Sequence, residues 1–273
     1  MKKQAIFIST LVVLLFASCA SEQQLARRVI REANTYNIAV EFPQQLFLTK
    51  SKVENLYPNF QEMDSEQQNE LLVRHTQFLN NLNEADLRTS YCSTFVKTLQ
   101  ELKLNVIENA QYPDSTLDNT LLNVRMLQLE WEEDSALMRY SRSISYYEDV
   151  YKDLTVNELN LNVWLEYTAP NAKPKVLFCS ESYRDDIDGK FTQKNDEYVF
   201  NYNKTPVDAA QIETKTVEFA RTNATAFFNY LMNVYIQQNS AYAPQYLQKV
   251  SYNQQNNLLQ NRSPRISELD IKQ

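Results

Sequence analysis

His75 is the first residue to weigh for chemistry, because it is the single histidine of the chain. Imidazole titrates near neutrality and serves as a general base. His75, however, lies four residues after Leu71 and three before Phe78, on the apolar stripe of an expected helix with no acid or nucleophile in the pattern. The core, or its edge, is the better reading. Asp185, Asp186 and Asp188 beside Gly189 invite comparison with a calcium-binding loop, yet with Gly189 at the sixth position Arg184 falls at the first and Asn195 at the twelfth. Both essential carboxylates are missing, so no metal site is expected there. Glu130, Glu132, Glu133 and Asp134 offer the paired carboxylates that glycoside hydrolysis needs on opposite sides of a sugar. With no second acidic strand to place opposite them, they read as the wet face of a sheet, and no enzymatic activity is expected.

Tyr140, Tyr146, Tyr147, Tyr151 and Trp164 form the remaining candidate set. Aromatic faces stack on sugars, and the same residue types are enriched at protein interfaces. Packing of a surface segment over the sheet is the simplest use for them. Gly189 is the only glycine among 273 residues. Phosphate-cradling and dinucleotide folds need several glycines where backbone meets ligand, so nucleotide binding is excluded and no cofactor is expected. A formal charge of −7 argues against a nucleic-acid partner.

The elements that position these residues follow from periodicity. Alternation at Ile38, Val40 and Phe42 predicts a strand over residues 36–43, with Leu46–Thr49 continuing it. Asp64 or Ser65, followed by Gln67 or Gln68, starts a helix carrying Leu71, Leu72, His75, Phe78, Leu79 and Leu82 on one stripe. A second helix from Asn83 turns Leu87, Tyr91, Phe95, Leu99 and Leu102 inward, and the pair is expected to form a helical hairpin. Short strands are predicted at 103–108 and 123–133, then a tyrosine-rich surface loop over 134–153. Residues 156–168 alternate without a break, and strands at 176–183, 190–193 and 198–202 complete an expected antiparallel meander, with Asp188-Gly189 as a positive-φ hairpin turn. Thr205-Pro206-Val207-Asp208 begins a long helix whose stripe is Val217, Ala220, Ala224, Phe227, Leu231 and Val234. The expected fold is α+β: a largely antiparallel sheet with an N-terminal helical hairpin and a long C-terminal helix packed on it. Residues 36–240 form its single domain, and 241–273 form a polar tail with mobile final residues. Cys92 and Cys179 fit either a disulfide or two buried thiols.

The first nineteen residues carry an address. Lys2 and Lys3 precede an apolar run from Ala5 to Phe16, and Phe16-Ala17-Ser18-Cys19 follows. The run is shorter than the ~18 residues of a spanning helix and ends in small residues, as a secretion signal does. The four residues ending at Cys19 resemble the lipobox of bacterial lipoproteins. That resemblance implies that residues 1–18 are a signal peptide, that Cys19 is acylated, and that 19–35 form a lipidated tether. Cleavage there removes two lysines and no acid, taking the formal charge from −7 to −9. Ala20, in place of an inner-membrane retention Asp, implies the outer membrane, with the periplasmic face favoured over the cell surface.

The chain as a whole resembles envelope lipoproteins of Bacteroidota in its lipobox, its asparagine and glutamine richness and the order of its elements. The expectation is a non-enzymatic, membrane-tethered module that binds or organises other envelope components, an envelope protein foremost, through its polar sheet face and tyrosine-rich segment. A glycan-binding lipoprotein using the tyrosines and Trp164 is the alternative. A carboxylate-based envelope hydrolase comes third.

Overall fold

The computed structural model describes residues 27–28, 30–31, 37–79, 82–108, 121–145, 148–169, 172–195, 197–239, 250–253, 258–261 and 266–269. In chain order these form β1 (Asn37–Glu41), β2 (Phe47–Thr49), α1 (Ser51–Leu56), α2 (Ser65–His75), α3 (Glu84–Glu101), β3 (Asn105–Glu108) and β4 (Leu121–Ser145). There follow β5 (Glu148–Thr168), β6 (Lys175–Arg184), β7 (Asp186–Lys194), β8 (Glu197–Thr205), α4 (Ile212–Asn239), β9 (Val250–Asn253), β10 (Leu258–Asn261) and β11 (Ser267–Leu269). The fold is α+β.

The main sheet runs β11-β6-β5-β4-β1-β3, with β2 also paired to β4. Strands β4, β5, β6 and β11 are antiparallel, whereas β1 pairs in parallel with both β3 and β4, and β2 in parallel with β4. The sheet is therefore mixed where chain separation forces parallel crossings: α3 carries the chain from the β1 side to β3. Because β11 joins β6, the sheet also reaches beyond residue 240, where the sequence had placed the end of the domain.

Local signals set the helix ends. Asp64 caps α2 by accepting from the Gln67 amide at 2.9 Å, and Asn83 caps α3 by accepting from the Ala85 amide at 3.1 Å. The two helices do not form the expected hairpin: α2 rests on α1, while α3 lies along α4. Helix α2 has no fully buried residue, and Phe78 and Leu79, expected on its stripe, are buried beyond its end. On α4 the buried stripe is Phe219, Ala220, Ala224, Phe227, Phe228 and Met232, with Val217, Leu231 and Val234 only half-buried at its flanks.

The core lies between α3, α4 and one face of the sheet. Tyr91, Trp131 and Phe219 pack around one another with ring centroids 5.9 Å apart, and Phe95 stacks on Tyr91 at 6.1 Å. The polar ends of these rings are satisfied inside the core. Trp131 Nε1 donates to Thr216 Oγ1 at 3.0 Å, and Asn223 Nδ2 donates to the Tyr91 hydroxyl at 2.9 Å. Cys92 and Cys179 are free thiols packed at this core, not a disulfide; burial pushes them up to about 11 and about 12.

Residues 134–145 and 148–153, expected as a loop, are instead the continuation of β4 and the start of β5. Their ladder runs from Asn123 opposite Thr168 to Ser145 opposite Glu148. At ~3.3 Å per residue β4 is about 80 Å long, so the pair projects beyond the helices as a two-stranded arm. Under the helices Leu129, Trp131, Leu159 and Leu161 are buried; on the arm Met138, Tyr140, Leu154 and Val156 are the apolar residues covered in part or in full, while Leu137 and Tyr151 are exposed on the other face. That change from odd to even positions means that the arm buries its opposite face.

What covers that face is the β7–β8 hairpin, a separate two-stranded sheet. Phe200 stacks on Tyr140 at 4.9 Å and meets Phe191 at 4.9 Å, while Arg142 Nη1 donates to the Phe191 carbonyl at 2.8 Å. Rings rather than ladder bonds join the two layers, as in sheets packed face to face. The hairpin also corrects the reading of Asp188-Gly189. Gly189 lies within β7 with no positive φ, and the turn is made at Asn195, φ 54°.

Candidate binding face

From Gln128 onward on β4, past the bulge that follows Met126, and along β5 and β6 in the main sheet, the even-numbered side chains point away from α3 and α4. Register sets them in rows across the sheet: Gln128 by Trp164 by Phe178, Glu130 by Asn162 by Ser180, and Glu132 by Asn160 by Ser182. Strand β2 and the start of α1 extend the two polar rows, because Phe47–Thr49 pairs alongside Glu130–Glu132.

Hydrogen bonds hold each polar row. Thr49 Oγ1 donates to Glu130 Oε1 at 2.6 Å, Asn162 Nδ2 reaches Glu130 Oε2 at 3.4 Å, and Ser180 Oγ donates to Asn162 Oδ1 at 2.8 Å. In the next row Ser51 Oγ donates to Glu132 Oε1, Asn160 Nδ2 reaches Glu132 Oε2 at 3.4 Å, and Ser182 Oγ donates to Asn160 Oδ1 at 2.6 Å. Both carboxylates are thus oriented by neutral donors. Neither has a salt-bridge partner among the described residues. Beyond them Asn55 Nδ2 donates to Asp134 Oδ1 at 2.9 Å, and Arg184 pairs with Glu158. At the other end Trp164 and Phe178 pack at 4.9 Å, both half-buried, beside the exposed Leu127 that the β-bulge pushes out. The face is a polar floor with an apolar end.

At the opposite end, where the arm leaves the main sheet, a buried polar cluster joins the layers. Asp185 accepts from the amides of Asn157 at 2.9 Å and Val207 at 3.1 Å and pairs with Lys204 at 2.7 Å. Burial pushes the Asp185 carboxyl up, but the Lys204 ammonium and these backbone donors outweigh it and hold the group below its ordinary range. Asn157 in turn accepts from Lys52 at 2.6 Å and donates to Gln77 at 2.6 Å. Glu133, fully buried, accepts from the amides of Gln77, Phe78 and Leu79 at 2.6, 2.8 and 3.2 Å. These acids fasten segments of chain together and have no reacting geometry.

The residues singled out from sequence are dispersed. His75 ends α2 and shares a 3.1 Å hydrogen bond with the Tyr57 hydroxyl, away from any acid pair. Asp185 is the buried anchor above, while Asp186 and Asp188 are exposed on β7. Tyr140 is stacked under the hairpin, whereas Tyr151, opposite Ser141, lies on the other face of the arm beneath Arg139 at 5.7 Å. Trp164 is in register with Gln128, twelve residues back along β4 from Tyr140, a separation of about 40 Å. These three rings share no plane. Tyr146, Tyr147 and Cys19 lie outside the described residues. Thr49, Ser51, Asn160, Asn162, Ser180 and Ser182 escaped sequence reasoning as a group. Their signal is a polar residue at every second position of β5 and β6, but only cross-strand register aligns them.

Among the described residues no group of acids, histidines and cysteines is placed to hold a metal ion, and no helix is long and apolar enough to cross a membrane. No family model and no curated protein matches the chain. A crystal structure described as a neuraminyllactose-binding hemagglutinin homolog from Helicobacter pylori is similar at 10% identity, over 77% of this chain and 85% of that one, with a TM-score of 0.28. A likeness that distant carries no argument about the site.

Proposed function

We propose that the protein is a lipid-anchored, non-enzymatic module of the bacterial envelope that binds another envelope component, foremost a protein, through the outward face of its main sheet. The observation that supports this reading most is the set of pre-oriented polar rows ending in the Trp164–Phe178 pair. A surface whose side chains are already ordered loses less entropy when a partner docks. Acylated Cys19 supplies the anchor, and two or three acyl chains hold a protein durably at ~0.8 kcal/mol per buried methylene. The outer membrane, facing the periplasm, is the proposed location.

Both parts are testable in the native envelope. A photo-crosslinking residue at Ser180 or Ser182 is expected to trap one discrete partner, while one at the exposed Glu101 of α3 traps none. Equal or absent trapping at all three positions refutes the binding face. Fatty-acid labelling is expected in the parent protein and absent from Cys19→Ser; label that persists in the variant refutes the anchor.

A further inference from the structure

Salt bridges hold five acids of the strands and of the segments that join them. Glu41 lies 3.6 Å from Arg125, Asp153 is held by Arg139 at 2.8 Å, Glu268 by Lys175 at 2.9 Å, Asp185 by Lys204 at 2.7 Å, and Glu158 by Arg184. Glu130 and Glu132 differ. They are partly buried, fixed on one oxygen by a hydroxyl and approached on the other by an amide, and neither is paired with a cation among the described residues. A carboxylate has about four lone-pair sites, so each retains acceptor capacity after these contacts. The two stand at alternate positions of β4, about 6.6 Å apart, and one more such step leads to the row of Gln128, Trp164 and Phe178.

We infer that this face docks a basic segment of a partner protein, with lysine or arginine side chains seated on Glu130 and Glu132 and apolar contact made at Trp164, Phe178 and Leu127. Charge complementarity selects this occupant. The two carboxylates are held in place by neutral donors with no cation paired to them among the described residues, inside a chain of formal charge −7, and the face disfavours an anionic ligand for the same reason. Charge-assisted hydrogen bonds to carboxylates are roughly twice as strong as neutral ones. The neighbouring tryptophan accepts either the aliphatic stem of a lysine or the plane of a guanidinium. The inference rests on the proposed binding role and names the chemistry of the partner at that face.

The test uses the purified mature chain with decalysine as probe, and with decaglutamate and chitohexaose as comparisons. Trp131 is fully buried and Trp164 half-buried, so a change in tryptophan fluorescence reports on the face. Decalysine is expected to give a saturable change that weakens as salt is raised and weakens at least tenfold in Glu130→Gln/Glu132→Gln, which keeps oxygens to accept from Thr49 and Ser51. Carbodiimide coupling is expected to join decalysine to Glu130 or Glu132 in the unaltered protein, a readout that stands even if the double variant folds poorly. No response to decalysine, an unchanged response in a folded double variant, or coupling only at other acids overturns the inference. So does a response to chitohexaose or decaglutamate alone. If decalysine fails while Ser180 still traps a protein in the envelope, the binding role stands and only the basic partner falls.

Discussion

Lys103 and Gly189 show how a chain with one glycine spends it. Lys103 closes α3 at φ 70°, with its own amide donating to the Gln100 carbonyl at 2.9 Å and the Leu104 amide to the Leu99 carbonyl at 3.1 Å. That is the pair of bonds of a Schellman cap, whose left-handed residue is commonly glycine. Gly189, in ordinary extended backbone, serves a steric need instead: a Cβ there would run into the Phe200 ring and come within 2.8 Å of Tyr202 Cβ. Lys103→Gly is therefore expected to stabilise the protein by ~1 kcal/mol through relief of the left-handed strain. Gly189→Ala should destabilise it by ~1–3 kcal/mol through overpacking. Urea midpoints at constant m-value check both signs, and the reverse order would refute the assignment of glycine roles.

Asp185 carries a pH dependence of defined sign. Its folded carboxyl is held below the usual value of 3.8, so its contribution to stability is complete above that value and is lost as pH falls through the lower folded one. Lys204 is exposed, so loss of the Asp185 charge strands no buried cation, and the cost is that of hydrogen bonds to a charged group, about 1.5–3 kcal/mol. Asp185→Asn is expected to lose stability on that order at neutral pH, less where the amide keeps one hydrogen bond. The difference from the parent protein should be flat from about pH 5 to 7 and shrink only in stronger acid. Urea titrations across that range measure it; a difference that grows in acid would contradict the pairing.

At the scale of elements, the change of apolar phase along β4 and β5 organises the molecule. Past the bulge after Met126, odd positions are buried where the strands lie under α3 and α4, and even positions where the β7–β8 hairpin covers them. Polar groups that belong to neither apolar layer collect where the phase changes: Glu133, Asn157, Glu158 and Asp185. The arm and hairpin should therefore loosen separately from the main core. Phe200→Ala is expected to speed amide exchange over 136–144 and 150–156 while the centre of α4 stays protected, at a cost below the ~3–5 kcal/mol of a buried Phe. Phe227→Ala, fully buried against Tyr167 at 5.8 Å between ring centroids, should cost that full amount and expose both regions together. Identical exchange patterns in the two variants would refute a divided core.

For the whole molecule, the amphipathic strand of 156–168, the caps at Asp64 and Asn83 and the long C-terminal helix were legible because hydrophobic period and capping chemistry are local. The tyrosine-rich stretch was misread as a loop because its alternation runs in the phase opposite to that of the strands beside it. Nothing nearby in sequence reveals the hairpin that buries that other face. Parallel pairing of β1 and β2, the approach of Phe200 that makes Gly189 necessary, and the departure of α3 from α2 toward α4 all join residues far apart in the chain.

Composition by itself determined that glycine-rich phosphate cradles and multi-histidine metal sites have no material here, and local periodicity determined an α+β chain. Tertiary structure alone decided that Thr49, Glu130, Asn162 and Ser180 stand in one row. A row across a sheet is set by inter-strand register, and register minimises a free energy summed over every strand pair and the layers that cover them.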